Sequence, residues 1–282
     1  ALYNSGCKNG KRKKHYKIKG PSILLKSIKK ILPIFKAKHR HLTLTLEQVE
    51  DARAIASYLD GTCDFAIATR KFTITENKYA SDMNKSVQSY AVARDAVAVI
   101  ISKSNSINNI NFEKLKRIFT VQISDWADVV SQGTSNGEIP PQQGTQNQAS
   151  APKLPSGKIQ VCVLNNFFGM HQYFLKKLGI RYFSSKIKLF NTEKSLISYV
   201  SSRRNAIGLI SSVQKCKGCK KISINGIKIN KENIINNKYP LIRTYYFFLP
   251  MNYSESEIID FIYFFRSFNT RRHLSRWGFI RP

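Results

Sequence analysis

Acidic residues are scarce in this chain. Its 282 residues include 17 aspartates and glutamates against 46 lysines and arginines, which gives a formal net charge of +29. This excess is larger than solubility requires and predicts a polyanionic neighbour, such as an acidic protein, a nucleic acid or an anionic membrane surface. A basic proteome with AT-rich codon bias would explain the same excess, and it also fits the abundance of lysine, asparagine and isoleucine. The charge is spread along the chain, so composition alone leaves both explanations open.

Long apolar runs and catalytic motifs are missing as well. No stretch of eighteen apolar residues occurs, so the sequence predicts no membrane span. It contains no P-loop, no G-x-S-x-G, no H-E-x-x-H and no carboxylate pair in a catalytic context, so we predict no enzymatic activity, no metal site and no cofactor. His39 and His41 are interpreted as part of a basic surface turn, and His171 as a packing or capping residue.

Cysteine is sparse and odd in number, with five residues that form no dense disulfide pattern. Cys216 and Cys219 form a C-x-x-C pair, for which we favour a structural turn or a local disulfide, while a zinc or redox role stays open. The first residues lack the charged region and apolar core of a signal peptide, so we expect that a signal peptide has either been removed already or was never present. Lipidation of Cys7 is not expected either, because Asn4 fits a lipoprotein processing site poorly.

The apolar pattern predicts an α/β fold. A basic leader over 1–15 is followed by alternating strands and helices: strand 16–20, a helix from Ser22, strand 42–46, a helix from Glu50, and strand 65–68. This order predicts a parallel sheet with right-handed crossovers. Ligands of open α/β sheets bind at the carboxyl ends of the strands, which places Thr69 and Arg70 at a binding cleft.

The second half of the chain continues the alternation after a long buried strand at 90–101. Residues 131–157 are poor in apolar side chains and rich in Gln, Gly, Pro, Ser and Thr, and they predict an inserted loop. We further predict a β-hairpin over 222–229 that turns at Asn225-Gly226, an apolar strand at 244–249, and one final helix over 255–268.

Several segments resemble one family. Residues 59–70 resemble the "L-x-x-G-x-x-D-I-A-x-x-S-R" segment of the phosphate-binding proteins of ABC transporters, and further landmarks follow in order at 115–129, 205–209, 239–243 and 277–280. The resemblance implies a two-lobed, type 2 periplasmic-binding-protein fold in which each lobe is a mainly parallel sheet flanked by helices. It assigns 16–95 and 208–282 to lobe 1 and 96–207 to lobe 2, and it implies an exported protein of the periplasm or cell envelope.

The same resemblance carries the ligand-binding positions of lobe 1 onto this chain. The loop after the first strand becomes Gly20-Pro21-Ser22, where Ser22 keeps a hydroxyl and Pro21 lacks an amide donor. The family serine at the start of the second helix is replaced by Asp51. Thr69 and Arg70 remain as candidate ligand-binding residues.

In lobe 2 the family's "R-x-x-x-S-G-T" loop aligns with Leu164, Phe168, Gly169 and Met170. The arginine, serine and threonine are thus replaced by leucine, phenylalanine and methionine. We interpret the bulky apolar side chains as filling the remnant cleft.

These replacements are large compared with the affinity of such a site. Each lost hydrogen bond to a charged ligand is worth about 1.5–3 kcal/mol, and a carboxylate 4 Å from an anion adds roughly 4 kcal/mol of repulsion per unit charge. A micromolar site holds only about 8 kcal/mol in all. The sequence therefore predicts that phosphate no longer binds.

Three functions follow as hypotheses. The preferred one is a non-enzymatic, degenerate relative that serves as a structural or interaction component beside an acidic protein partner or assembly. The alternative is a working solute-binding protein that delivers phosphate or another small ligand to an ABC transporter. A nucleic-acid or anionic-membrane role ranks last, because no recognition motif supports it.

Overall fold

A computed structural model describes residues 14–131, 156–165, 170–251 and 256–282. It divides into two compact units: unit 1 contains the chain up to Val92 together with Tyr245–Leu274, and unit 2 contains Ala93–Thr244 and Ser275–Pro282. Across the described residues, none of the helices has the length and apolar character needed to cross a bilayer.

Unit 1 is built on a sheet to which five strands contribute, with helices packed around it. Its elements are β1 (Lys14–Gly20), α1 (Ser22–Lys38), β2 (Leu42–Gln48), α2 (Asp51–Leu59), β3 (Phe65–Ala68), α3 (Ile74–Asp82), the start of β4 (Val87–Ser102), most of β11 (Ile242–Pro250), α9 (Ser256–Arg266) and most of α10 (Phe268–Arg276).

The strand order in unit 1 is β2-β1-β3-β11-β4, to which β4 contributes only its start. β1 pairs in parallel with β2 and with β3, whereas β11 runs antiparallel to β3. The predicted β-α-β-α-β order and its parallel pairing are therefore confirmed. Because the three strands are parallel, their carboxyl ends lie at one edge of the sheet.

Burial in unit 1 follows the apolar periodicity of the sequence. In α1 the buried side chains recur every three or four residues, and lysines occupy the opposite face. β3 is buried along its whole length, as its uninterrupted apolar run predicts. Gly20 ends β1 where a Cβ atom would lie 2.8 Å from the Ile67 carbonyl oxygen, so only glycine lets β1 approach β3 this closely.

Unit 2 contains the remaining elements. These are the rest of β4, β5 (Asn109–Ile110), α4 (Phe112–Phe119), α5 (Trp126–Ser131), β6 (Gln160–Leu164), α6 (Met170–Leu178), β7 (Lys188–Phe190), α7 (Glu193–Ser202), β8 (Ala206–Ser211), β9 (Cys219–Lys221), β10 (Ser223–Ile224) and α8 (Lys231–Ile235).

The sheet of unit 2 has the order β4-β8-β6-β7, with β9 also paired to β4. β6 is parallel to β7 and β8, while β4 is antiparallel to β8 and β9. A single large core holds the unit together, and Trp126 is fully buried in it with its indole nitrogen 3.1 Å from the Asn205 carbonyl oxygen. The α/β, two-lobed fold class is therefore confirmed.

Two predictions of local structure hold in part. The turn at Asn225-Gly226 is confirmed, since both residues have positive φ and Ile224 bridges to Ile227, but the hairpin extends no further because β10 pairs in parallel with the distant β5. The helix predicted over 255–268 is confirmed as α9, whereas the helix that follows it, α10, was not predicted. Helix α3 was not predicted, because Ala80 is its one buried residue.

The division of the chain also differs from the predicted lobes. Residues 208–244 were assigned to lobe 1, but they belong to unit 2. The reason is packing: β8 lies between β4 and β6, and Tyr239 and Leu241 are buried in the unit 2 core. Most of the predicted leader and of the inserted loop lies outside the described residues.

Candidate functional site

Three chain segments converge at the carboxyl edge of the unit 1 sheet. Ser22 is the first residue of α1, Asp51 is the first residue of α2, and Thr69 directly follows β3. The parallel pairing of β1, β2 and β3 brings these segments to one edge. We call Ser22, Asp51, Thr69, Arg70 and Glu76 the unit 1 cluster.

Asp51 and Thr69 are joined directly. The Thr69 hydroxyl donates a hydrogen bond of 2.5 Å to Asp51 Oδ2, and the two residues are only 6% and 8% exposed. Asp51 sits in the first turn of α2, where the helix dipole favours a negative charge. The carboxylate therefore occupies the positive end of α2, which would otherwise attract an anionic ligand.

Arg70 is directed to Glu76. Its two terminal nitrogens donate to the Glu76 carboxylate at 2.6 and 2.7 Å, in the bidentate geometry typical of strong arginine–carboxylate pairs. These bonds lower the pKa of Glu76 and raise the pKa of Arg70. Arg70 is thus already bound to a carboxylate of its own unit.

Glu76 has a second role in the same place. It forms a capping box with Thr73 at the start of α3: the Thr73 side chain accepts from the Glu76 amide, and Glu76 accepts from the Thr73 amide at 2.7 Å. One carboxylate therefore fixes both the start of a helix and the direction of the Arg70 guanidinium.

Ser22 begins a helix that contains no acidic residue. The first turn of α1 contains no acidic residue, and Pro21 at its N-cap makes no side-chain capping bond. Residue 21 also lacks an amide proton, as the sequence indicates. The N-terminus of α1 therefore retains the positive end of its dipole, in contrast to that of α2.

The candidate residues of unit 2 are described in part. Met170 begins α6 and is buried in the hydrophobic core of unit 2, at 6% exposure. Leu164 ends β6 and is buried as well, and its carbonyl oxygen lies 3.3 Å from His171 Nδ1. Phe168 and Gly169 lie outside the described residues.

A buried ionic cluster in unit 2 was missed by the sequence analysis. Arg243 donates to both Asp95 oxygens, at 2.8 and 2.5 Å, and the Ser211 hydroxyl donates to Asp95 Oδ2 at 2.5 Å. Asp95 is 0% and Arg243 3% exposed. The available signal was Arg94-Asp95 inside an otherwise apolar strand, which indicates a buried charge that requires a partner.

The four cysteines of the described residues comprise one disulfide pair and two buried thiols. Cys216 and Cys219 form a disulfide, which confirms the favoured local interpretation. Cys63 and Cys162 are buried thiols, and burial raises their pKa values to about 11 and about 12, so both stay protonated at neutral pH. No cluster of metal-binding side chains occurs in the part of the chain that the structure describes.

Solved structures share this fold at low sequence identity. An ABC-type phosphate transport receptor from Vibrio cholerae superposes with a TM-score of 0.79 at 18% identity, covering 95% of this chain and 100% of that one. A putative phosphate ABC transporter substrate-binding protein with bound phosphate, from Clostridium perfringens, gives a TM-score of 0.76 at 17% identity with the same coverage. At these identities the likeness establishes the fold.

Two relatives found by sequence are also named phosphate-binding proteins. Phosphate-binding protein PstS of Staphylococcus aureus is 23% identical over 273 residues, which cover 92% of this chain and 77% of that protein. Phosphate-binding protein PstS 2 of Streptococcus agalactiae is 27% identical over 112 residues, or 40% of this chain, and the alignment spans 36% of the Streptococcus protein.

A family model also matches nearly the whole chain. The model described as PBP superfamily domain covers residues 11–267, which include every member of the unit 1 cluster and the described candidate residues of unit 2. The chain therefore belongs to the PBP superfamily.

Proposed function

We propose that this chain is a non-enzymatic, PstS-like solute-binding protein of the cell envelope whose phosphate site has lost most of its affinity, so that it acts mainly as an interaction component. The family match and the relatives named phosphate-binding proteins support the solute-binding class. The exported location follows from the same relationship. The loss of affinity rests on the unit 1 cluster.

The observation that carries the proposal is the state of the charges in the cluster: Arg70 is paired with Glu76, and Asp51 would repel an anion. Arg70 must give up two hydrogen bonds to Glu76 before it can bind a solute. Asp51 places a negative charge at the helix start of α2, and its interaction with an anion 4 Å away costs roughly 4 kcal/mol per unit charge at surface-like screening. Together these effects offset a large part of the roughly 8 kcal/mol in a micromolar site.

The partner in this proposal is an acidic protein or assembly. The outer face of α1 supports it, because Lys26, Lys29 and Lys38 are exposed there and the helix carries no acidic residue at all. Such a face attracts an acidic surface over a distance of about 10 Å at moderate salt. Binding to nucleic acid or to anionic membranes instead would contradict this choice of partner.

Calorimetry with inorganic phosphate tests the loss of affinity. We expect the unchanged protein to show no binding at micromolar concentration, and Asp51→Ser to gain affinity by about tenfold or more, because it removes the repulsion and supplies a hydroxyl donor. Asp64→Ser is the matched control: this carboxylate accepts from the Lys17 amide elsewhere in unit 1 and should leave phosphate binding unchanged. Micromolar binding by the unchanged protein would contradict the proposal.

A working phosphate receptor is the second candidate. The similarity to a structure with bound phosphate favours it, and so does the chemistry of Asp51, because a carboxylate can accept a hydrogen bond from a solute that still carries a proton. The same variant separates the two candidates. In a working receptor Asp51→Ser would weaken phosphate binding, whereas in a disabled site it strengthens it.

A further inference from the structure

A cavity of about 310 Å³ lies in unit 2, apart from every residue of the unit 1 cluster. It is formed by the segment after β8, by β9, by the chain around α8 and by the residues that follow Leu274. Its size is at the lower end of the range for small-molecule sites, on the order of 300–1,000 Å³. We call it the unit 2 cavity.

The polar side of the unit 2 cavity is cationic. Lys221 and Lys231 line it together with Ser212 and Ser275, and no acidic side chain belongs to the described lining. Two ammonium groups without a lining carboxylate form a site that favours an anion. Lys231 is exposed, whereas Lys221 is half-buried.

Lys221 is the less exposed of the two lysines in the lining. Its ammonium donates one hydrogen bond of 2.6 Å, to the Ser212 carbonyl oxygen, and an ammonium group carries three donors. Burial lowers the pKa of Lys221, which means that the charged form is held in a poorly solvated place. An anion in the cavity would offset that desolvation.

The lining also contains an apolar wall. It is formed by Ile229, Ile234 and Phe279, of which Ile234 and Phe279 are only 3% and 2% exposed. Gly278 has φ +90, and a Cβ atom there would lie 3.1 Å from the Val213 Cα. Glycine at this position thus lets the chain around Phe279 pack closely and complete the wall.

We propose that the unit 2 cavity binds a small organic carboxylate with a compact apolar body. The carboxylate pairs with Lys221 and Lys231, and the body packs against Ile229, Ile234 and Phe279. Inorganic phosphate would satisfy the lysines but would leave this wall without a partner. The site is independent of the proposed function, because the two experiments alter different residues, and phosphate bound at the unit 1 cluster would not respond to Lys221→Met.

Titrations followed by NMR and calorimetry provide the test, with isovalerate and benzoate as probes and their neutral amides, isovaleramide and benzamide, as controls. We expect saturable binding of both carboxylates with dissociation constants on the order of 1 mM or below, and binding of the amides and of phosphate weaker by about tenfold or more. Equal binding of an acid and its amide, phosphate binding of equal strength that Lys221→Met weakens, or no saturation by about 10 mM acid would overturn the proposal.

Variants locate the site. Lys221→Met should weaken benzoate binding by about tenfold or more, while Lys220→Met should change it by less than about twofold. Lys220 is the matched control because it neighbours Lys221 in β9, points to the opposite face, and bonds Asn108 Oδ1 at 2.7 Å. Similar losses in both variants would contradict the assignment.

Ser275→Trp covers the case in which Lys221→Met fails to fold. Residue 275 is exposed near the end of α10 and lines the cavity, so a bulky side chain fills the space and both lysines remain. We expect this variant to keep its thermal midpoint and to lose benzoate binding. Unchanged benzoate binding would place the ligand elsewhere and end the proposal.

Discussion

The two units each combine a carboxylate, a hydroxyl and an arginine, but they connect them differently. In unit 2 Asp95 accepts hydrogen bonds from both Ser211 and Arg243, and all three residues are buried in the core at 0–3% exposure. In unit 1 Asp51 accepts a hydrogen bond from Thr69, while Arg70, whose side chain is 31% exposed, binds Glu76 instead. The three kinds of group thus form one buried cluster in unit 2. In unit 1 they are divided between two pairs at a sheet edge, Thr69 with Asp51 and Arg70 with Glu76.

The contrast shows what burial does to an ion pair. A sealed pair is costly to break because each partner leaves an uncompensated charge in a poorly solvated interior. An arginine–carboxylate pair with partial exposure contributes little stability but remains free to exchange partners. The unit 2 group therefore serves the fold, whereas the proposed solute-binding role belongs to the unit 1 cluster.

The largest effect is expected from breaking the sealed pair. Arg243→Met should lower the free energy of unfolding by about 3–5 kcal/mol, because Asp95 stays buried without its cation. Urea unfolding followed by circular dichroism measures this loss. The double variant Arg243→Met, Asp95→Asn is the control and should regain much of it; a loss below about 1 kcal/mol for the single variant would show that water reaches Asp95.

A smaller effect is expected from removing one hydroxyl in each unit. Thr69→Val keeps the side-chain shape and removes the hydrogen bond to Asp51, which should cost about 1.5–3 kcal/mol because the acceptor is charged. Ser211→Ala should cost less, about 1 kcal/mol, since Asp95 keeps its two bonds to Arg243. Urea unfolding of both variants checks the order, and the reverse order would contradict the comparison.

The exposed pair should contribute least to stability. Glu76→Gln should reduce the free energy of unfolding by about 1 kcal/mol at most, because the pair is partly solvated and glutamine can still complete the capping box. It should also release Arg70 and strengthen phosphate binding measured by calorimetry. A stability loss as large as that of Arg243→Met would show that the two pairs are equivalent after all.

The pH dependence of the Glu76 contribution sharpens the same point. Hydrogen bonds from Arg70 hold the pKa of Glu76 below its ordinary value, so this group binds protons more weakly in the folded chain than in the unfolded one. The stability difference between the unchanged protein and Glu76→Gln should thus be full above about pH 4.3 and shrink as the pH falls through the lowered pKa. Urea midpoints from neutral pH to pH 3 measure it, with Asp82→Asn, an exposed carboxylate that ends α3, as the control.

Much of the fold could be predicted because its signals are local. The alternation in β2, the apolar run of β3 and the helical spacing in α1 each reflect one buried face, and they fixed the order of unit 1. Helix α3 has too few apolar residues for this signal, although the spacing of Thr73 and Glu76 in the sequence indicates its capping box. The pairing of β10 with β5 depends on residues more than one hundred positions apart, which local patterns do not encode.

The candidate site was predictable in its positions and not in its connections. Ser22, Asp51 and Thr69 come to one sheet edge because parallel strands require it. That Arg70 binds Glu76, or that Asp95 meets Arg243 across 148 positions, depends on side-chain packing that no spacing rule supplies. The filling of the cleft by Phe168 stays a prediction.

The shared carboxylate of Glu76 links two properties that could otherwise vary separately. A substitution at this position that removes the side-chain oxygen acceptor alters both the first turn of α3 and the orientation of Arg70. Glutamine is the replacement that can change the pairing of Arg70 and still complete the capping box. A return to strong anion capture would proceed most easily through Asp51, where one codon change leaves α3 untouched.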